Sequence, residues 1–294
     1  MHCFADDTQL YLSFKSDDKS SLDEAVNAMN RCICDLRNWM IRDRLMINDD
    51  KTELILIGTR QQLGKINDEW NISVGDCDIY PSSCVRNLGA WFDNKLSMST
   101  HVNKICNSAF YHLHNIRRIK NYLSRDSLLT LIHAFITSRL DYCNGLLYGL
   151  PKSQIAKLQR VQNAAARLVL SLSKYSHISP ALCQLHWLPV QHRVHFKIIN
   201  FAFKAIHGWA PRYIIELINI KPRSVYNLRS NQSLLLDPPK GKMLATLGDR
   251  SFSAAAPYLW NALPAELRDI QSFSIFKCKL KTYLFRAAFS KYPA

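Results

Sequence analysis

The sequence lacks the features that mark several large protein classes. None of its apolar stretches reaches the roughly 20 residues that a membrane-spanning helix needs, and its N-terminus has no signal-peptide pattern. It also has no internal repeat, no glycine-rich phosphate-binding loop and no recognisable pairing of a nucleophile with a base. We therefore expect an intracellular chain without a membrane partner, in the nucleus or the cytoplasm.

Paired cysteines are also missing. The nine cysteines are scattered, with no Cys-x₂₋₄-Cys pair of the kind found in zinc sites. Cys32 and Cys34 are separated by one residue, which on a helix points the two thiols in different directions. The pattern predicts reduced thiols and argues against a disulfide framework.

One group of residues in the C-terminal half has metal-ligand chemistry. Its members are His177, Cys183, His186, His192 and His195, with spacings of 6, 3, 6 and 3 residues. Because the group lacks the paired cysteines of a zinc knuckle, we interpret it as structural and expect no zinc. Zinc binding is the alternative interpretation.

Acidic residues are scarce after residue 100. Residues 101–294 contain 7 Asp and Glu against 27 Lys and Arg, whereas residues 1–100 contain 16 against 11. The net charge of +15 thus divides into −5 and +20. A basic excess of this size indicates a phosphate backbone as partner, so we expect RNA or DNA to bind through residues 101–294. A solvated basic surface without a specific partner is the alternative. A membrane surface is disfavoured, because the cations are spread over many helices.

Hydrophobic periodicity predicts one long N-terminal helix and a mainly helical chain after residue 98. Apolar residues recur every three or four positions from Leu22 to Met40, and Ser21–Glu24 has capping-box spacing. Residues 8–14 alternate and predict a strand, while the run 53–58 predicts a buried strand. Residues 220–248 predict a long basic loop. Later helical stripes begin at Val102, Leu128, Ile155, Val194 and Phe273.

Two adjacent carboxylates, Asp6 and Asp7, precede the predicted strand at residues 8–14. A hard cation such as Mg²⁺ prefers oxygen ligands and commonly binds one or two protein carboxylates, with water and substrate phosphates as the others. The pair is therefore a candidate metal site. Asp is also common in ordinary turns, and the dipeptide alone does not separate the two interpretations.

The surrounding residues resemble a known family. Residues 4–11, Phe-Ala-Asp-Asp-Thr-Gln-Leu-Tyr, resemble the catalytic hairpin of non-LTR (LINE-type) retrotransposon reverse transcriptases, where the first residue is usually Tyr. Residues 48–53 resemble the family's Asn-x-x-Lys-Thr-Glu motif, and residues 85–93 resemble its primer-grip hairpin. Short sequence motifs typical of the C-terminal region of these polyproteins extend the resemblance over essentially the whole chain. They lie at residues 138–144, 158–167, 185–190, 260–264 and 276–282.

The resemblance implies roles for particular residues. Asp6 and Asp7 would be the catalytic carboxylates and Mg²⁺ ligands of the intact polymerase, with Asp6 the direct ligand to both ions. Lys51 would protonate the leaving pyrophosphate as a general acid, or would be an ordinary exposed lysine. The primer-grip hairpin would hold the primer 3′ end, or would be a plain hairpin with a buried Trp. Its residues are Leu88, Gly89, Trp91 and Phe92.

The resemblance and the helical pattern together predict an α+β fold in three parts. Residues 1–97 would be a partial palm of short antiparallel strands and a long helix, 98–175 a helical thumb, and 176–294 a basic, mainly helical C-terminal domain. A thumb presents cations to the nucleic-acid backbone. The candidate cations are Arg117, Arg118, Lys120, Lys157, Arg160 and Arg167.

The family's fingers and the first half of its palm, which carries another metal-binding Asp, are not among these 294 residues. A two-metal site holds the attacking and leaving oxygens from both sides, so it needs that ligand. We therefore expect a fragment of an RNA-directed DNA polymerase that is inactive alone, and we expect residues 8–14 to lack a ladder partner. In the intact parent the partners would be an RNA template and a DNA primer. The alternatives are a non-enzymatic, sequence-tolerant RNA- or DNA-binding module and a fragment without selected function.

Overall fold

A computed structural model describes residues 2–5, 7–66, 70–221, 234–239 and 247–290. The fold is mixed α/β and about 58% helical, with a few short strands that are mostly antiparallel, so the coarse fold class is confirmed. The chain divides into two compact units, Met1–His101 and Val102–Ala294, which we call the N-terminal unit and the C-terminal unit. The boundary predicted at residue 175 lies inside the C-terminal unit.

The N-terminal unit consists of short strands and one long helix. Antiparallel hairpins are formed by β1 with β2, β4 with β5, and β7 with β8, and β3 pairs with β6 in parallel. Pairs this short are marginal alone and depend on packing against a helix. The elements are β1 (His2–Phe4), β2 (Asp7–Gln9), α1 (Lys19–Arg42), β3 (Leu54–Ile55), α2 (Arg60–Leu63), β4 (Ile72–Val74), β5 (Cys77–Ile79), β6 (Pro81–Ser82), β7 (Cys84–Asn87) and β8 (Ala90–Asp93).

Helix α1 supplies the core of the N-terminal unit. The stripe predicted from Leu22 to Met40 faces inward, and Ile33 is buried against Ile72 and Val74 of β4. The helix begins earlier than the capping-box pattern predicted. The reason is that Asp18, in an extended conformation, accepts a hydrogen bond from the Ser20 amide at 3.0 Å and acts as the N-cap.

The strand predicted at residues 8–14 is only partly formed. β2 ends at Gln9 and pairs with β1 in the register His2 with Gln9, so the expectation that this strand lacks a ladder partner is wrong at its start. Ala5, with φ at 54°, belongs to the turn between the two strands. Leu10–Phe14 are not part of a strand, because none of their backbone groups bonds to another described backbone group.

The C-terminal unit is mainly helical, and the division between the units falls in the first turn of its first helix. The five predicted stripes lie in α3, α4, α6, α8 and α12, as expected. A π-helix, His133–Thr137, separates α4 from α5. The elements are α3 (Ser99–Ile119), α4 (Arg125–Ile132), α5 (Ser138–Asp141), α6 (Lys152–Leu170), α7 (Ile178–Gln184), α8 (Val190–Ile206), α9 (Arg212–Ile215), β9 (Asn219–Ile220), β10 (Leu236–Asp237), α10 (Phe252–Asn261), α11 (Ala265–Arg268) and α12 (Phe273–Ala288).

Helix α8 lies at the centre of this unit and packs against α10 and α12. Phe203 of α8 stacks on Phe276 of α12 with ring centroids 4.2 Å apart, and Trp260 of α10 lies 5.8 Å from Phe276. All three rings are fully buried. Within the described ranges, no helix is both long and apolar enough to span a bilayer.

Polar side chains fix the turn that enters α8. Buried Gln162 of α6 donates to the Leu188 carbonyl at 2.8 Å, and Gln159 accepts from the Val190 amide at 2.9 Å. Arg193 donates to the same Leu188 carbonyl at 2.8 Å. The turn's backbone groups are thereby satisfied inside the fold.

The basic loop predicted at residues 220–248 is described only in part. β9, at the start of this segment, pairs in antiparallel register with β10, which lies in its second half. The Asn261 side chain bonds to both the amide and the carbonyl of Leu236, at 2.9 and 2.8 Å. The remainder of the predicted loop, at 222–233 and 240–246, lies outside the described residues.

Candidate functional site

The Asp-Asp segment is tied to the primer-grip-like hairpin. Asp7 is exposed at the start of β2, and Asp6 lies outside the described residues. Side chains alternate along a strand, so Asp7 and Gln9 lie on the same face of β2. The Gln9 amide Nε2 donates to Oδ1 of Asn87 in β7 at 2.9 Å. This hydrogen bond joins segments that are 78 residues apart.

Lys51 ends a single 3₁₀ turn, Asp49–Lys51, and its side chain is exposed. Oδ1 of Asn48 accepts from the Lys51 amide at 3.1 Å, and the Thr52 hydroxyl donates to the Asn48 carbonyl at 3.0 Å. Arg37 of α1 holds Asp49 in an ion pair at 3.0 Å. In this motif Asn48 therefore shapes the turn that presents Lys51.

The acidic residue of the same motif contacts the third motif. Oε2 of Glu53 accepts from the Arg86 amide of β7 at 3.3 Å. Arg86 adjoins Asn87, which accepts from Gln9. Two consecutive residues of β7 thus connect the Asp-Asp hairpin, the Lys51 turn and the primer-grip-like hairpin within the N-terminal unit.

The primer-grip-like hairpin turns through Leu88 and Gly89, whose φ angles are 44° and 81°. Two successive positive φ angles are typical of the type I′ turn that suits a two-residue hairpin. Leu88 is exposed, whereas Trp91 and Phe92 are half-buried. The Trp91 amide donates to Nδ1 of His101 at 3.3 Å, and burial lowers the pKa of His101.

An apolar groove of about 400 Å³ lies beside these motifs. The extended segment Leu10–Phe14 and the run Glu53–Gly58 line it, together with Leu22, Val26 and Met29 of α1. Glu53 is the only charged residue that the structure describes in its lining. Its lining is complementary to an apolar segment of polypeptide and not to a phosphate group.

The Mg²⁺ that the resemblance implies needs more oxygen ligands than Asp7 provides. Among the described residues there is no group of three or more His, Cys, Asp or Glu side chains that could hold a metal ion. Asp7 is the only member of the predicted pair that the structure describes. The described part of the chain therefore does not by itself form that Mg²⁺ site.

The predicted His/Cys residues do not bring three or more possible metal ligands together in the described part of the chain. His186 packs on Phe285 of α12 with ring centroids 5.6 Å apart. His192 and His195, on α8, are 6.1 Å apart, and His195 lies 6.0 Å from the Tyr148 ring. Burial, with a smaller effect of the neighbouring His192, lowers the pKa of His195 to about 4. Burial also lowers the pKa of His192.

Helices α3 and α6 carry most of the cations that the sequence predicted for nucleic-acid contact. Lys157 of α6 donates to Oδ1 of Asn103 in α3 at 2.9 Å. Lys120, just after α3, donates to the Ser171 hydroxyl, just after α6, at 2.7 Å. One hydrogen bond thus links the N-terminal halves of the two helices, and another links the residues that follow them. Neither helix contains an acidic residue.

The six predicted cations of this region differ in their surroundings. Arg117, Arg118 and Arg160 are exposed. Lys120 and Lys157 take part in the two bonds between α3 and α6. Arg167 is half-buried and donates to the Ser176 carbonyl at 3.2 Å, so it holds the turn after α6.

Two tyrosines in the same region were not selected from the sequence. Tyr122 is 90% exposed and Tyr175 is 84% exposed. Each lies within two residues of a lysine, and Lys174 lies over the Tyr175 ring, 4.8 Å from its centroid. Aromatic residues next to cations in turns are a signal for nucleic-acid contact that the sequence does offer.

No protein-family model, curated protein or solved structure matches this chain. The resemblance to reverse transcriptases thus depends on the motif residues themselves.

Proposed function

We propose that this chain is the C-terminal part of a non-LTR retrotransposon reverse transcriptase. In this proposal the N-terminal unit is a partial palm. The C-terminal unit contains the thumb and a basic C-terminal region, and the thumb helices α3 and α6 hold the nucleic-acid backbone.

One observation carries the proposal. The three motifs of the resemblance are about 40 residues apart in sequence, yet β7 joins them through the Gln9–Asn87 and Glu53–Arg86 hydrogen bonds, at 2.9 and 3.3 Å. If the three motif matches had arisen by chance, there would be no reason to expect hydrogen bonds between them. Their meeting is what a shared catalytic neighbourhood requires.

The roles proposed for the N-terminal unit follow from this neighbourhood. Asp6 and Asp7 are proposed as Mg²⁺ ligands of the parent polymerase, and Lys51 as the cation directed at the leaving group. The turn at Leu88 and Gly89 is proposed to contact the primer. We propose no polymerisation step for this chain alone, because the described residues do not complete a metal site.

The proposed role of the C-terminal unit is supported by charge. Residues 102–294 carry the same 27 basic and 7 acidic residues as 101–294, because residue 101 is His. Cations aligned along α3 and α6 can neutralise successive phosphates, and each contact releases counterions. Binding of this kind is sequence-tolerant and sensitive to salt.

The test is binding of the full chain to a fluorescein-labelled RNA oligonucleotide, measured by anisotropy over a range of salt. The variant is Lys157→Gln with Arg160→Gln on α6. The charge-matched control is Lys277→Gln with Lys281→Gln, two exposed residues of α12. Loss of two phosphate contacts should reduce the log–log salt slope by roughly 0.7 to 0.9 for each contact. The control should change less. Equal losses in both double variants, or no binding by the natural chain, would contradict the proposed interface.

A second candidate function is a non-enzymatic RNA- or DNA-binding module. It is favoured by the core of the C-terminal unit, in which the described buried apolar residues are several times as many as in the N-terminal unit. Primer extension on RNA with Mg²⁺ or Mn²⁺ separates the candidates. We expect no dNTP incorporation by the 294-residue chain. Incorporation that disappears in Asp6→Ala would show that the chain is an active polymerase.

A further inference from the structure

We infer that the turns that follow α3 and α6 bind single-stranded nucleic acid, with Tyr122 and Tyr175 stacking on unpaired bases. The inference rests on the proposed nucleic-acid function of the C-terminal unit and adds the strand type and the residues that recognise it. We call Lys120–Tyr122 together with Ser171–Ser176 the tyrosine platform.

The exposure of the two rings is the first observation. Tyr122 and Tyr175 leave 90% and 84% of their surface accessible, so neither side chain contributes to a core. The other exposed tyrosines that the structure describes leave only 51–72% of their surface accessible. Here both ring faces are available to a ligand, apart from the contact of Lys174 with the Tyr175 ring.

The second observation is that the fold holds the two turns against each other. The Lys120 ammonium donates to the Ser171 hydroxyl at 2.7 Å. Lys120 lies two residues before Tyr122, and Ser171 lies four residues before Tyr175. Arg167 donates to the Ser176 carbonyl at 3.2 Å, which anchors the turn that carries Tyr175. A platform ordered before binding loses less conformational entropy when a ligand arrives.

Charge identifies the ligand. Arg117, Arg118, Arg125 and Lys174 lie within the platform or a few residues from it, and all four are exposed. Asp126 and Asp141 are the only acidic residues between positions 101 and 215, and Asp141 is paired with Arg193 at 2.7 Å. An anionic chain with flat apolar groups fits this combination of cations and aromatic rings.

The strand type follows from the rings. In a duplex the bases are stacked on one another, and side chains reach only their edges and the backbone. An exposed aromatic face gains a partner only from an unstacked base. The cations alone would bind single and double strands alike, so the tyrosines should contribute only to single-strand binding.

The test compares the full chain with Tyr122→Ala, Tyr175→Ala and the double variant. Ligands are a labelled single strand, a duplex of equal length and a strand of equal charge with abasic sites. Each single substitution should weaken single-strand binding roughly 5- to 100-fold, the range expected for loss of one stacked base. Duplex binding should change less than about twofold, because the phosphate contacts remain. The natural chain should bind the abasic strand about as weakly as the double variant binds the intact strand.

Two controls make the result specific. Tyr122→Phe and Tyr175→Phe keep the ring and should retain single-strand affinity. Tyr258→Ala removes a 72% exposed tyrosine of α10 and should change nothing. Because all these side chains are exposed, thermal unfolding should confirm intact folding.

The outcomes separate this inference from the proposed function. If the natural chain binds both ligands with steep salt dependence but the tyrosine variants behave like it, only the tyrosine platform is refuted. In that case the exposed rings belong to another kind of interface, such as one for an acidic protein. If the natural chain binds neither strand type, the proposed function itself fails.

Discussion

The two units of this chain are stabilised in different ways. In the N-terminal unit the buried apolar residues that the structure describes are Ile33, Ile72, Val74, Val85, Ala90 and Met98. Those of the C-terminal unit are several times as many and extend from α3 to the end of α12. The N-terminal unit is acidic and positions its motifs with single hydrogen bonds, whereas the C-terminal unit is basic and displays its cations on packed helices. The motif geometry of the first unit is therefore the more easily disturbed.

Among substitutions in the two units, the largest loss of stability is expected in the aromatic cluster of the C-terminal unit. Phe276→Ala removes a fully buried ring that stacks on Phe203 at 4.2 Å. The lost burial and the remaining cavity should reduce the free energy of unfolding by about 3 to 5 kcal/mol. Urea unfolding followed by circular dichroism measures this change. Ile275→Ala, at a 51% exposed neighbour on the same helix, is the control and should lose less than about 1 kcal/mol. Equal effects of the two variants would mean that α12 is not packed as described.

Acid should destabilise the same unit through His195. Its pKa in the folded chain is about 4, against an ordinary value of 6.5, because burial and the adjacent His192 disfavour the charged ring. A base with a lowered folded pKa contributes its full stability above pH 6.5 and loses it as the pH falls toward 4. The loss should be up to roughly 3 kcal/mol.

The measurement is the urea midpoint at several pH values between neutral and acidic. His195→Gln cannot gain this proton, so its stability should vary less with pH over the same range. His114→Gln, at an exposed histidine of α3, should keep the natural pH dependence. If His195→Gln keeps it as well, another group is responsible.

The long helices were predictable because periodicity is a local signal. The stripes that begin at Leu22, Val102 and Ile155 each extend over several turns, and burial in α1, α3 and α6 follows them. The π-helix at 133–137 was not predictable from a period of 3.6. Its wider turn shifts the register of the stripe that begins at Leu128, and Phe135 within this π-helix is 40% exposed.

The site residues were predictable only as separate motifs. The Gln9–Asn87 hydrogen bond joins positions 78 residues apart, and no local pattern indicates that contact. The same holds for the Lys120–Ser171 contact, which joins the turns that carry Tyr122 and Tyr175. Sequence patterns identify residues with suitable chemistry, whereas long-range packing decides which of them meet.

A smaller effect is expected at a glycine of the N-terminal unit. Gly75 has φ at 62°, and an added Cβ would overlap the Arg37 guanidinium, which holds Asp49 in the Lys51 turn. Gly75→Ala should therefore reduce the free energy of unfolding by about 2 kcal/mol, from backbone strain together with displacement of Arg37. Gly208→Ala in the C-terminal unit is the matched control, because its φ is 72° but nothing lies within 4 Å of the added Cβ. That control should lose about 1 kcal/mol, from backbone strain alone. Denaturant unfolding of both variants checks the difference, and equal losses would show that Arg37 moves aside without effect.

The smallest effect is expected at the tip of the primer-grip-like hairpin, where Leu88 has φ at 44°. This backbone conformation is strained for Leu, and Asn followed by Gly is the preferred pair in a type I′ turn. Leu88→Asn should therefore raise the free energy of unfolding by about 0.5 kcal/mol, because Asn adopts the left-handed conformation more readily. Leu146→Asn is a control of equal exposure, since Leu146 is 39% exposed and Leu88 38%, but Leu146 has no positive φ. Denaturant titration should show a gain at position 88 and none at position 146. A loss at position 88 would mean that the Leu88 side chain contributes packing that outweighs the strain.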